Sequence, residues 1–212
     1  MFIKEKFMNR FDRTVLQLRG MGMVKYVPVL VCYILVPVTA YLLQRAGTDY
    51  DLMDTLWEQI LIIYPVMAGW WIALSMEMVL CQEGEIFGLY ERNKWMDTLI
   101  YYGLYIFMLL PVCAWMLNQW PEYTHLEEFL GLFMQCFLSC CLIYFVSCLV
   151  QSVAVSFVTI LIFNLFLHGR VEYVLFDMEI KSELIFSPVT FLIAGVICLL
   201  IGKELQERGM RL

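Results

Sequence analysis

Residues 129–168 run for forty positions without one Asp, Glu, Lys or Arg. A helix needs only about 20 apolar residues, at 1.5 Å rise each, to cross a bilayer. Forty is too long for one crossing, so the stretch must fold back on itself, and a tight turn near Val150 and Gln151 is the natural break. The remainder of the chain agrees. Of its 212 residues, 62% are hydrophobic and only 16% are charged, against about half and about a quarter in soluble domains. A soluble fold of this size could not hide so much apolar surface. Repeated long runs favour helices over a barrel, whose alternating strands extend for only about 10 residues. The sequence therefore predicts an all-α membrane protein.

Six transmembrane helices are expected, over residues 24–43, 60–80, 99–117, 129–149, 152–167 and 185–201. Pro28, Pro37, Pro65, Pro111 and Pro188 fall inside them, where neighbouring helices can satisfy the backbone groups that proline frees. The first apolar run begins too late for a secretory signal and no small-residue cleavage site follows it, so this span is expected to be retained. Basic residues orient the bundle. Of the fourteen Lys and Arg residues, only Arg45, Arg170 and Lys181 fall on the side opposite the N-terminus. Both termini are thus expected in the cytosol. The outer side carries eleven acids against those three bases, an imbalance that would concentrate cations near it. Seven of the eight cysteines lie within apolar runs, with no CxxC pair and no neighbouring His. That pattern argues against a disulfide framework or a metal site and for small side chains at helix contacts. No nucleic-acid partner is expected.

Two segments lie on the basic side. Residues 1–22 form an amphipathic pattern. Ile3, Phe7, Phe11, Val15 and Leu18 share one face and Lys6, Arg10, Arg13 and Gln17 another, which suits a helix lying on the lipid bilayer surface. Between the second and third spans, "CQEGEIFGLYERNKWMD" mixes Glu83, Glu91 and Arg92 with Phe87, Tyr90 and Trp95. Gly84 and Gly88 argue against one uninterrupted surface helix, and a short helix after Gly84 fits better. Apolar groups on several sides suggest contact with more than the membrane.

This organisation resembles the permease subunit of type-2 ATP-binding-cassette (ABC) exporters. That family has about this size, six spans with both termini inside, an amphipathic helix before the first span and a coupling helix between the second and third. Here the N-terminal residues and "EGEIFGLYERNKW" stand in those places, and "HGRVEYVLFDMEIKSEL" (residues 168–184) stands where the family carries a partly re-entrant segment. The resemblance implies three parts: an interfacial helix (1–22), a six-helix domain (23–202) and a cytosolic tail (203–212). It implies that Glu83, Gly84, Phe87, Tyr90, Glu91, Arg92 and Trp95 couple to an ATPase, with Lys6, Phe7, Arg10, Phe11 and Arg13 holding the surface helix. It further implies a bacterial plasma (inner) membrane location, transport without catalysis in this chain, and a second permease copy or related permease as dimer partner. The chain has no phosphate-cradling GxxxxGK[ST] turn, since "GVICLLIGKE" has the wrong spacing. On this resemblance ATP and Mg are expected in a partner ATPase subunit, and no cofactor is expected here.

Inside the spans, Glu77 is the one acid in an apolar run, and intramembrane acids default to functional hypotheses. Trp70 and Trp71 sit mid-span although tryptophan prefers interfaces. Because the family's second and fifth helices help line the pathway, Tyr64, Trp70, Trp71, Glu77 and Asn164 are pathway candidates by resemblance. No catalytic residues are expected: His125 and His168 have no Ser or Cys at a catalytic spacing, and Glu127 and Glu128 lack the downstream Arg of glutamate-type intramembrane proteases. The expected function is export, with a cationic peptide or amphiphile as the favoured cargo. The alternative is a substrate-binding membrane subunit of an energy-coupling-factor type vitamin importer.

Overall fold

The computed structural model describes residues 11–12, 14–45, 51–80, 94–119, 126–168 and 188–209, which are helical apart from short turns. A helical stretch over residues 14–20 stops at Met21, whose amide donates to Gln17 O (3.1 Å). Gly22 follows at φ +62°, the left-handed conformation in which glycine ends helices at no steric cost. The first apolar stretch is irregular. It comprises a 3₁₀ turn (Gly22–Tyr26), α1 (Val27–Leu30), a π turn (Val31–Leu35) and α2 (Val36–Arg45). In π spacing the Cys32 carbonyl would pair with the amide of residue 37, but Pro37 has none. The Tyr64 hydroxyl donates to Cys32 O instead (3.3 Å).

The other elements are α3 (Asp51–Ala68), α4 (Trp70–Leu80), α5 (Lys94–Gln119), α6 (Leu126–Val150), α7 (Val153–His168) and α8 (Pro188–Gly209). Among the described residues five helical windows are long and apolar enough to cross a membrane: Gly22–Thr39, Gln59–Glu77, Lys94–Asn118, Phe129–Val150 and Pro188–Glu207. Val153–Leu167 is a shorter apolar helix. The forty-residue uncharged run does divide at Gln151, which takes φ +54° and donates its amide to Ser147 O (3.0 Å). Ser147 Oγ then reaches across the turn to Ser156 Oγ (2.9 Å), so the hairpin closes through hydroxyls as well as backbone.

Helix α6 is the centre of the bundle, and α3, α4, α5, α7 and α8 all pack on it. Small and polar residues on it, Ser139, Cys140, Cys141 and Ser147, are fully buried and let neighbouring backbones approach closely. Glycines meet it from both sides. A Cβ at Gly69, the break between α3 and α4, would lie 2.2 Å from Ile143 Cδ1. On α8, a Cβ at Gly195 would lie 2.7 Å from Phe137, and one at Gly202 would lie 2.7 Å from Tyr144 Cε1 and 3.2 Å from the Phe145 Cα.

Side chains of α6 also repair the backbone of α3. Pro65 leaves the Leu61 carbonyl without its intrahelical donor, and Gln135 Nε2 supplies one at 2.9 Å. Seven residues on, beside the Gly69 break, Ala68 O accepts from Cys140 Sγ at 3.4 Å.

Candidate functional site

Elements converge at one end of the bundle, where Lys25, Lys94 and Lys203 lie. The helical stretch ending at Gly20 lies across the base of α5, and Tyr101 there donates to Gln17 Oε1 (3.1 Å). Phe11 borders an apolar groove of about 350 Å³ with Met96, Leu99 and Ile100 of α5. The first turn of α5 is partly buried, most deeply at Lys94. Lys94 is 2% exposed and its Nζ stands 3.8 Å from Asp97 Oδ2. The Trp95 ring receives the Lys203 ammonium of α8 at 5.6 Å, while its buried Nε1 meets no acceptor among the described residues. Tyr144 of α6 donates to Gln206 Oε1 of α8 (2.7 Å). These contacts join α5, α6 and α8 at their basic ends. The charged segment expected to couple runs between α4 and α5. Glu83, Gly84, Phe87, Tyr90, Glu91 and Arg92 lie outside the described residues, as do Lys6, Phe7, Arg10 and Arg13 and the stretch 169–187. Of the coupling set, the structure places Trp95 alone.

The interior candidates fall into two groups. Tyr64 and Asn164 are fully buried in contacts between helices of this chain. Tyr64 donates to Cys32 O, and its own carbonyl accepts from Tyr105 (2.8 Å). Asn164 Oδ1 accepts from Gln135 (2.8 Å), and its Nδ2 donates to Ser139 Oγ (3.2 Å) and Ile160 O (2.9 Å). This polar layer is hydrogen-bonded throughout, as groups removed from water must be.

Trp70 and Trp71 form the second group with Glu77. Their indoles donate to consecutive carbonyls of the 3₁₀ turn, Val24 O (3.1 Å) and Lys25 O (2.8 Å). Val24 O also accepts from the Val27 amide, so Trp70 adds a second donor there, whereas the 3₁₀ partner of Lys25 O would be residue 28, a proline without an amide hydrogen, and Trp71 supplies a donor in its place. Trp71 also stacks edge-on with Tyr105 (6.1 Å). Trp70 stacks edge-on with Phe157 of α7 (5.3 Å) and, with Glu77, borders a surface cleft between α4 and α7. Glu77 is exposed.

Sequence reasoning missed Gln135 and Tyr105, and it placed Gln17 on the polar face of the surface helix without its partner. A signal existed for Gln135, an amide within an uncharged run, since polar residues at such depth need partners. Tyr105 and Gln17 gave none, because each is explained only by a neighbour distant in the chain. Compared with known proteins, the chain matches no family model, no curated protein and no solved structure.

Proposed function

We propose that the chain is the membrane-spanning permease subunit of an ABC exporter. It crosses the bacterial plasma membrane six times with both termini in the cytosol. ATP hydrolysis by a separate Mg-dependent ATPase subunit drives it to move a cationic peptide or amphiphile. Two copies, or this chain and a related permease, enclose the pathway. The five long apolar helices and Val153–Leu167 supply the six crossings. The short one is accommodated as other mismatched helices are, by local thinning or by flanking side chains.

The observation that carries this reading is the tie at the basic end. Helix α5 begins at Lys94, directly after the charged segment, and its first turns are held by Gln17 on one side and by Lys203 on the other. A push on residues 81–93 would therefore act on α5, α6 and α8 together, as a coupling element requires. Within the segment, Phe87 and Tyr90 provide the large apolar anchors that dominate interface energetics, with Trp95 at its junction to α5. Glu83, Glu91 and Arg92 set orientation and partner choice.

The test is copurification and ATPase stimulation with Glu91→Arg and Phe87→Ala. Both variants should insert at near-normal levels, bring down less ATPase subunit and stimulate its hydrolysis less. Full binding and full stimulation in both would reduce the segment to an interfacial helix and remove the main support for a coupled exporter.

A further inference from the structure

The cleft between α4 and α7 encloses about 250 Å³. That is below the range for pockets holding whole drug-sized molecules and suits a headgroup with a few methylenes. Its wall is aromatic, since Trp70 and Phe157 meet edge-to-face with centroids 5.3 Å apart. Its width comes from two alanines, Ala73 and Ala154, one on each helix. Its polar end is Glu77, two helical turns beyond Trp70 and about 10 Å along the axis. The polarity runs in a defined sense. Trp70 is fixed to the Val24 carbonyl, and α4 continues from it through Glu77 to its end at Leu80. The aromatic wall is thus the deeper part and the carboxylate the shallower.

Among the described residues no Lys or Arg pairs with Glu77. Lys25, on the neighbouring turn, instead holds its ammonium over the Tyr26 ring at 5.1 Å. One opposing charge is present. Helix α7 starts at Val153, and a helix start carries about half a positive charge. The full negative charge of Glu77 outweighs it, and the aromatic faces add attraction for a cation. Past Trp70 and Phe157 a tail can continue along α7, which exposes Val158, Leu161 and Leu165.

We infer that this cleft binds a single-chain amphiphile with an ammonium head, the head at Glu77 and the chain against Trp70 and Phe157. The inference deepens the permease reading by giving its cargo class a docking place, but binding is read on this chain alone. Failure here leaves the permease reading to the ATPase copurification test, and failure there leaves this site standing as a binding site.

The experiment is equilibrium binding of radiolabelled hexadecyltrimethylammonium to the full chain in dodecyl maltoside, with hexadecanol and hexadecyl sulfate as competitors. Saturable binding is expected, displaced poorly by both competitors. Glu77→Gln should weaken it about tenfold, the equivalent of one charge-assisted contact. Ala154→Phe, which fills the cleft from an exposed position and keeps the carboxylate, should weaken it at least as much. Wild-type affinity in both variants would overturn the site, and so would equal displacement by hexadecanol. Stronger displacement by hexadecyl sulfate would overturn the assignment by showing that the helix start, not Glu77, selects the head.

Discussion

Gln135 donates to the carbonyl that Pro65 leaves unpaired, and this pairing makes a quantitative claim. In Gln135→Leu, Leu61 O loses the 2.9 Å bond and Asn164 Oδ1 the 2.8 Å bond. Hydrogen bonds between membrane helices average about 0.6 kcal/mol and reach about 1.7, so the variant should lose about 1–3 kcal/mol. Pro65→Ala restores an amide hydrogen at position 65, and the helix can then satisfy Leu61 O by itself. In that background Gln135→Leu should no longer forfeit the Leu61 bond, and its cost should fall by about half. The cycle of wild type, two single variants and the double variant should therefore show a coupling of about 1 kcal/mol. The volume lost with the proline ring is common to both Pro65→Ala variants and cancels. Reversible unfolding in mixed micelles, followed by tryptophan fluorescence, measures all four. A coupling within about 0.3 kcal/mol of zero would mean that Gln135 is not the replacement donor, and the argument from proline chemistry would be wrong.

Gly202→Ala and Gly195→Ala should each cost about 1–3 kcal/mol through overpacking, read as a lowered midpoint in thermal unfolding. Tyr144 is buried and bonded to Gln206 and has little freedom to yield at position 202. Gly103→Ala serves as control, because nothing lies within 4 Å of its new methyl; it should be neutral or stabilising. Trp71→Phe keeps the ring against Tyr105 but removes the donor to Lys25 O, a loss of about 1 kcal/mol. Hydrogen exchange should show residues 22–26 opening about fivefold more often, with the rest of the bundle unchanged. In a cysteine-free background, single cysteines at Asn93 and Asp177 should label from opposite sides of intact cells. Labelling of Asn93 from outside would refute the six-crossing topology.

The parts of this fold that were legible are those governed by solvation. A run of forty uncharged residues must turn, and it turns at Gln151. Long apolar runs must be helical, because backbone groups removed from water have to pair within the segment. The parts that were not legible depend on contacts between residues far apart in the chain. The second apolar run has room only for glycine at position 69 because Ile143 stands where a Cβ would be, and no local pattern encodes that. The first run predicts one continuous span but contains 3₁₀, α and π pieces. Its carbonyls at Val24, Lys25 and Cys32 accept from Trp70, Trp71 and Tyr64, whose hydroxyl and indole groups gave no hint of their targets. Trp70 and Trp71, read as mid-span residues, are fixed to the start of the first apolar stretch. The site was legible only in outline: the charge pattern marks residues 81–93, whereas the bonds that tie α5 to Gln17 and α8 are visible only in three dimensions.

The contacts between α3 and α6 restrict how these helices can move past each other. Leu61 meets Gln135, Ala68 meets Cys140, and Gly69 meets Ile143. The pairs advance together along both chains, so the two helices run in the same direction. Sliding one past the other by a turn, about 5.4 Å, would strand the Leu61 and Ala68 carbonyls and drive Ile143 out of the space left by the missing side chain of Gly69. Tilting about the same row leaves all three contacts in place. A piston stroke between α3 and α6 is therefore costly and a rocking motion is cheap, and the row of contacts acts as its pivot.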